Sequence, residues 1–313
     1  MGELAPRAPV PWFSRMRVLP LVLLSLAAAQ APQPRATFSS RADLVVVHVT
    51  VLDKRAGFVS GLPRDVFTVQ ENGRPQPIAF FEHEDTPVTV GLVIDSSQSM
   101  APRRDAVIAA GMAFAASSHP GDELFTVNFN EHVWPGLPKG LAFTRDHAEL
   151  RNALSKSGSR GKTALFDALQ AALRHLDGGS EPRKVLIVVS DGGDNASSAT
   201  FEQVLDAALR RDVVIYAIGL AHPDDDGANP EVLKKLAEVT GGEAFFPKSN
   251  KHIAPAMERV ARDIRSSYTL GFVPSAEQAT LSPRRIRVDV KPDGEHKFSV
   301  RARTLALAPG DSR

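Results

Sequence analysis

Cysteine is absent from all 313 residues. A chain without thiols forms no disulfides and cannot be anchored through a lipidated cysteine, so an ordinary apolar core must hold it together. Long blocks of lysine or arginine are also missing, and the formal net charge is only +1. This excludes the electrostatic footprint of a nucleic-acid binder and a polybasic membrane surface. There is no internal repeat, and no apolar run comfortably reaches the ~20 residues that a membrane-spanning helix needs. None of the nine histidines sits in a motif that places it beside Ser97 or Ser99. No G-x-S-x-G elbow surrounds either serine, which argues against serine-nucleophile hydrolysis.

What is present describes a globular, exported chain. The composition is 43% hydrophobic and 23% charged, well away from the disordered regime. Arg7, Arg15 and Arg17 precede the apolar "VLPLVLLSLAAA", which runs into small residues. That is the pattern of a secretory signal over residues 1–29. Cleavage is expected after Ala29, because a cut after Ala31 would place Pro32 just past the scissile bond. The expected destination is the periplasm or the exterior, with no integral membrane span in the mature chain. Retention of the segment as an N-terminal anchor is the alternative.

Three zones follow the signal. Residues 36–86 read as short β-branched and aromatic runs punctuated by Gly, Pro and the Asn72-Gly73 turn signal, which predicts antiparallel β structure. Residues 87–267 alternate near-continuous apolar runs ("VTVGLVID", "ELFTVNF", "KVLIVVSD", "VVIYAIGL") with helical patterns. Strands apolar on both faces predict a doubly wound α/β unit with a mostly parallel sheet covered on each side. In "TALFDALQAALRHLDGG", Leu165, Leu169, Leu173 and Leu176 share one helix face, and Gly178 ends the pattern. Residues 268–305 return to strands, with Ile286, Val288 and Val290 alternating. Neither flank is long enough for a core of its own, so the two are expected to pair into one small β-sandwich, leaving 306–313 as a frayed tail.

Two of the central strands end in acid, at Asp95 and Asp191, and in a parallel sheet such ends meet at one rim. Ser97 and Ser99 follow the first, Asp194 and Asn195 the second. A Gly-rich loop brings Thr163 to the start of a helix. Taken singly, the two serines and Thr163 read as helix caps. Taken together, two carboxylates and three hydroxyls form a hard-oxygen set that suits Mg²⁺, Mn²⁺ or Ca²⁺ better than Zn²⁺. Two carboxylates balance a divalent ion, and neutral hydroxyls leave it electrophilic enough to accept an external carboxylate. The set reads as a docking point for an acidic group.

Asp95-x-Ser97-x-Ser99, Thr163 in "GKTALFDAL" and Asp191 in "VVSDGGDN" resemble, in order and placement, the five positions of the metal-ion-dependent adhesion site (MIDAS) of von Willebrand factor type A domains. The resemblance covers about residues 86–267. It implies a Rossmann-like fold and a Mg²⁺ ion held directly by Ser97, Ser99 and, in some states, Thr163. It further implies that Asp95 and Asp191 act through water, that Asp194 and Asn195 lie at the rim, and that a partner protein's Asp or Glu completes the shell. "LVVVHVTVLDKRAGFVSGLPRDVFTVQENGRPQPI" and "DIRSSYTLGFVP" are similar to the flanks of the acidobacterial-type proteins related to this family. The ending "RARTLALAPG" departs from that subgroup, whose members tend to close on an aromatic Gly-Tyr pattern.

The expected activity is therefore adhesion without catalysis. The enzyme alternative is a Mg²⁺-dependent phosphatase-like hydrolase using Asp95, since "SDGGD" at 190–194 resembles that chemistry's acidic motif. It requires a second Asp two residues after the first as general acid/base, and position 97 is Ser. "HPDDDG" at 222–227 lacks the spacing of a calcium loop and reads as an exposed acidic turn. Asn195-Ala-Ser197 matches a glycosylation sequon but reads as structural, and His132 and Trp134 read as edge-strand residues.

Overall fold

The computed structural model describes residues 44–83, 85–156, 158–220, 227–274, 283–292 and 297–307. The signal segment, most of the acidic turn at 222–227 and the tail from 308 onward lie outside the described residues.

Four strands come first: β1 (Val45–Leu52), β2 (Phe67–Glu71), β3 (Arg74–Gln76) and β4 (Phe80–Glu82). β2 and β3 form the hairpin expected at Asn72-Gly73. Both turn residues have positive φ, 49° and 79°, as a two-residue turn matched to strand twist requires.

The central unit then runs β5 (Thr89–Asp95), α1 (Arg104–Ser117), β6 (Glu123–Phe129), β7 (Val133–Pro135), α2 (His147–Ser155) and α3 (Leu165–Leu176). It continues through β8 (Lys184–Ser190), α4 (Phe201–Arg210), β9 (Val214–Gly219), α5 (Pro230–Thr240), β10 (Ala244–Phe245) and α6 (Ile253–Ser266). Its six strands are ordered β10-β9-β8-β5-β6-β7. All pair in parallel except β7, which lies antiparallel on β6 at the sheet edge and carries Trp134.

Every residue of β5 is buried, because both sheet faces are covered. Apolar residues of α1, α2 and α6 pack on one face and those of α3, α4 and α5 on the other. The unbroken apolar runs of the sequence are the consequence. Helices α2 and α6 were not foreseen from the sequence. α2 is short, with Asp146 capping it through the Ala148 N–H, and α6 hides its amphipathic stripe among frequent arginines.

Four strands close the chain: β11 (Tyr268–Phe272), β12 (Arg284–Val290), β13 (Ser299–Ala302) and β14 (Leu305–Ala306). They interleave with the N-terminal strands into two antiparallel sheets, ordered β13-β1-β11-β4 and β14-β12-β2-β3. Val47, Val49, Phe67, Val69, Leu270 and Ile286 are among the side chains of the apolar core between them. The last strand corrects the expectation of a tail frayed from 306. Ala306 pairs with Arg284 and is buried, and the Leu307 carbonyl accepts from the Arg284 guanidinium. Polar contacts fix the sandwich to α6: Asp263, fully buried, accepts from Thr50 Oγ1 at 2.7 Å and pairs with Arg301.

Candidate metal centre

The rim forms where β5 and β8 end side by side. Their parallel register sets Ile94 against Val189, so Asp95 and the Ser190-Asp191 pair emerge together at the carboxyl edge. The Ser96 N–H donates to the Phe129 carbonyl, which ties the turn after Asp95 to β6. Asp95, Ser97, Thr163 and Asp191 are all buried.

Ser97 Oγ lies 3.1 Å from Ser99 Oγ, and Ser99 Oγ donates to Asp191 Oδ2 at 2.7 Å. One chain of oxygens therefore links the two strand ends. On the inner side, the Ser97 N–H donates to Asp95 Oδ1 at 2.8 Å and Ser190 Oγ to Asp95 Oδ2 at 2.7 Å. Burial pushes the Asp95 carboxyl up to about 6, the Ser97 and Ser190 hydrogen bonds hold it down against that trend, and the neighbouring Asp191 charge adds to the rise. The rise follows from burial, which disfavours the charged form of a carboxyl.

The cap readings fail on geometry. Ser97 precedes the 3₁₀ turn Gln98–Arg103 without a side-chain capping bond. Thr163 is not the cap of α3 either; Ala164 occupies that position and offers no side-chain bond. Asp194 caps this helix from a distance instead: its Oδ2 accepts the Phe166 N–H at 2.9 Å, and its carboxylate also accepts from Ser197 N and Oγ. Asn195 Oδ1 accepts the Thr163 N–H at 2.9 Å, and the Thr163 carbonyl accepts the Asn195 N–H in return. Asp194 and Asn195 thus hold the loop that carries Thr163. Ser197 is engaged structurally within the sequon, its Oγ donating to Asp194 and accepting the Asp167 N–H.

Two contributors escaped the sequence reading. Ser190, fully buried, was hidden in an apolar strand, although its place just before Asp191 marks it as a rim residue. Glu131, whose Oε2 accepts the Lys162 N–H at 2.9 Å, braces the Thr163 loop from the β6–β7 turn, and no spacing in the sequence connects it to that loop.

Among the described residues, no three His, Cys, Asp or Glu side chains converge as a metal site. Any ion here depends on hydroxyls as much as on carboxylates. The linked donors are oxygen only, two carboxylates (Asp95, Asp191) and two hydroxyls (Ser97, Ser99), a set that fits a hard divalent cation. Thr163 is buried on the adjoining loop, which is tied to the rim by the Gln98 N–H to Gly161 carbonyl and Arg160 N–H to Ser96 carbonyl bonds.

The family model described as "von Willebrand factor type A domain" matches residues 90–256. No curated protein matches the chain. Among solved structures, a von Willebrand factor type A protein from Catenulispora acidiphila is 14% identical, covering 88% of this chain and 76% of its own, with a TM-score of 0.51. Proximal thread matrix protein 1 from the mussel byssus, with a zinc-occupied MIDAS motif, is 19% identical over 68% of this chain and 50% of its own, with a TM-score of 0.50. At these identities the likeness is one of fold.

Proposed function

The chain belongs to the von Willebrand factor type A domain family, and from that premise we propose that it is an exported, non-catalytic protein-binding module. Ser97, Ser99 and Thr163, with Asp95 and Asp191, would hold a divalent cation, Mg²⁺ or else Mn²⁺ or Ca²⁺. Bound there, the ion supplies a localised positive charge to which an Asp or Glu carboxylate of a partner protein adds. The residues of this chain do the rest. Ser190 and the Ser97 N–H orient Asp95, Asp194 and Asn195 hold the Thr163 loop, and the buried strands β5 and β8 keep the rim rigid. In this reading residues 87–267 carry the binding function, and the sandwich of β1–β4 and β11–β14 supports them.

One observation carries the reading: the continuous Ser97–Ser99–Asp191 oxygen chain beside a buried Asp95. Catalysis by the phosphatase route lacks its second carboxylate, since position 97 is Ser. Export rests on the segment 1–29, and no helix among the described residues is long and apolar enough to cross a membrane. The mussel neighbour's zinc shows that this fold can take a softer ion than the donor set favours.

Calorimetric titration with Mg²⁺, Mn²⁺, Ca²⁺ and Zn²⁺ tests the site. A single binding event that Asp95→Ala abolishes is the expected result; unchanged metal affinity in that variant would reject it.

A further inference from the structure

Beside the metal rim lies an open groove of about 1380 Å³ whose lining includes Arg103, Glu231, Lys234, Phe246, Lys248 and Lys251. It shares its walls with the site. The Leu220 N–H donates to the Ser190 carbonyl at 2.9 Å, and the Asn229 N–H donates to the Asp191 carbonyl at 3.2 Å. Leu220 and Pro230, the first residue of α5, both line the groove. Arg103 ends the 3₁₀ turn that begins just after Ser97. The groove therefore adjoins the rim through the backbone at Ser190 and Asp191 and the turn that follows Ser97.

The groove's chemistry is one-sided. Among the described lining residues, Lys234, Lys248, Lys251 and Arg103, the last already engaged with another residue of the chain, face Glu231 alone, on a chain whose net charge is only +1. Lys234 lies 3.7 Å from Glu231 in an exposed pair, which offsets little of the field. Lys248 and Lys251 are exposed and form no ion pair with another described residue. Between them and the sheet sits Phe246, a large apolar side chain left 44% exposed. Its ring lies on the end of β9, where Gly219 leaves room for it; a Cβ at 219 would come within 2.4 Å of the ring. The aromatic is thus seated on one side and open on the other, as a binding platform is.

We propose that this groove extends the docking surface and receives an acidic segment of the partner protein that carries an aromatic or apolar residue. The segment's carboxylates would face Lys234, Lys248, Lys251 and Arg103, and its apolar residue would rest on Phe246. The inference rests on the reading of the rim as a carboxylate-accepting metal site, because it supplies the residues that flank that carboxylate. Charge complementarity selects the occupant: opposite potentials steer encounter and fix orientation.

The test uses the full chain and two fluorescein-labelled peptides, Glu-Glu-Phe-Glu-Glu and Gln-Gln-Phe-Gln-Gln, with Mg²⁺ and in chelator. In Mg²⁺ the acidic peptide should bind at least about tenfold more tightly than the neutral one and weaken as salt rises. Lys248→Glu with Lys251→Glu should lose about tenfold of that affinity while the calorimetric Mg²⁺ affinity stays as in the wild type. Phe246→Ala should weaken both peptides. Wild-type affinity in the double lysine variant, with Mg²⁺ still bound, would overturn the groove and leave the metal reading standing. Lysine-dependent peptide binding in a chain that takes up no metal would do the reverse. A single-stranded DNA oligonucleotide that displaces the peptide at lower concentration would overturn the choice of occupant. So would peptide binding seen only after Asp224, Asp225 and Asp226 are changed to Asn, which would make the chain's own acidic run the occupant.

Discussion

Ser99 Oγ donates to Asp191 Oδ2 at 2.7 Å across 92 positions of sequence. The bond joins the turn after one central strand to the end of the next, and it makes the two residues one unit. Ser99→Ala and Asp191→Ala should each lower Mg²⁺ or Mn²⁺ affinity by at least about tenfold, and the double variant should lose less than the sum of the two, as residues in one network do. Calorimetry on the four proteins of the cycle measures the coupling; strict additivity would mean that the two residues act separately.

Asp194 is argued to cap α3 without touching a cation, and the two roles separate in measurement. Asp194→Ala should cost about 1–2 kcal/mol of stability, the range for a lost N-cap, while metal affinity falls far less than in Asp191→Ala. Urea unfolding beside calorimetry decides it. A loss of metal affinity equal to that of Asp191→Ala would make Asp194 a ligand.

His48, whose Nδ1 lies 3.2 Å from Thr269 Oγ1, gives the sandwich a pH dependence. Burial, then the Arg183 and Arg303 guanidinium groups, hold the imidazole well below its ordinary range. The folded state therefore keeps His48 neutral, whereas the unfolded chain takes up a proton below about pH 6.5. Stability from this residue is complete above that value and is lost as the pH falls beneath it. The thermal midpoint should drop more steeply between about pH 7.5 and about pH 5 in the wild type than in His48→Gln. Equal slopes would show that the imidazole does not titrate differently on unfolding.

Glu71 and Arg284 form an ion pair at 2.8 Å, with side chains 0% and 1% exposed. Among the described residues, Glu71 Oε2 and Arg284 Nε have no hydrogen-bond partner, so the pair does not fully offset its desolvation. Glu71→Ala should cost about 3–5 kcal/mol by stranding the guanidinium, and Glu71→Met with Arg284→Met should recover most of that loss. Denaturant midpoints for the single and double variants check this; a double variant no more stable than the single would show that the pair itself is required.

The proposed export signal, with cleavage after Ala29, makes a direct prediction. Amino-terminal sequencing of protein recovered outside the cytoplasm should begin at Gln30. A start at Met1 on membrane-bound protein would show that the segment is retained as an anchor.

The α/β unit was legible because burial leaves a period in the residues. A strand covered on both faces must be apolar throughout, as β5 and β8 are, and a helix lying on a sheet must carry a stripe, as α3 does. Four of the five candidate ligands were legible for a related reason: hydrophilic oxygens directly after a buried strand stand out against it, while Thr163 was marked by the Gly-rich loop before α3. Helices α2 and α6 were not seen, since one is short and the other is rich in charge. Ser190 and Glu131 were missed because their partners, Asp95 and the Lys162 N–H, lie far away in sequence and no local spacing relates them.

Local sequence was thus enough to determine the central strands, four of the helices, the order of the rim residues and the hairpin at Asn72-Gly73, because each depends on neighbours within a few positions. Only the tertiary structure decided which residue does which task. It moved the capping of α3 from Thr163 to Asp194, linked Ser99 to Asp191, and interleaved the two β flanks strand by strand. It also set Phe246 and the lysines near the end of β8, joining residues that the chain keeps more than forty positions apart. Those outcomes depend on the parallel register of a sheet buried on both faces, which brings remote strand ends to one edge and has no signature in any single stretch of sequence.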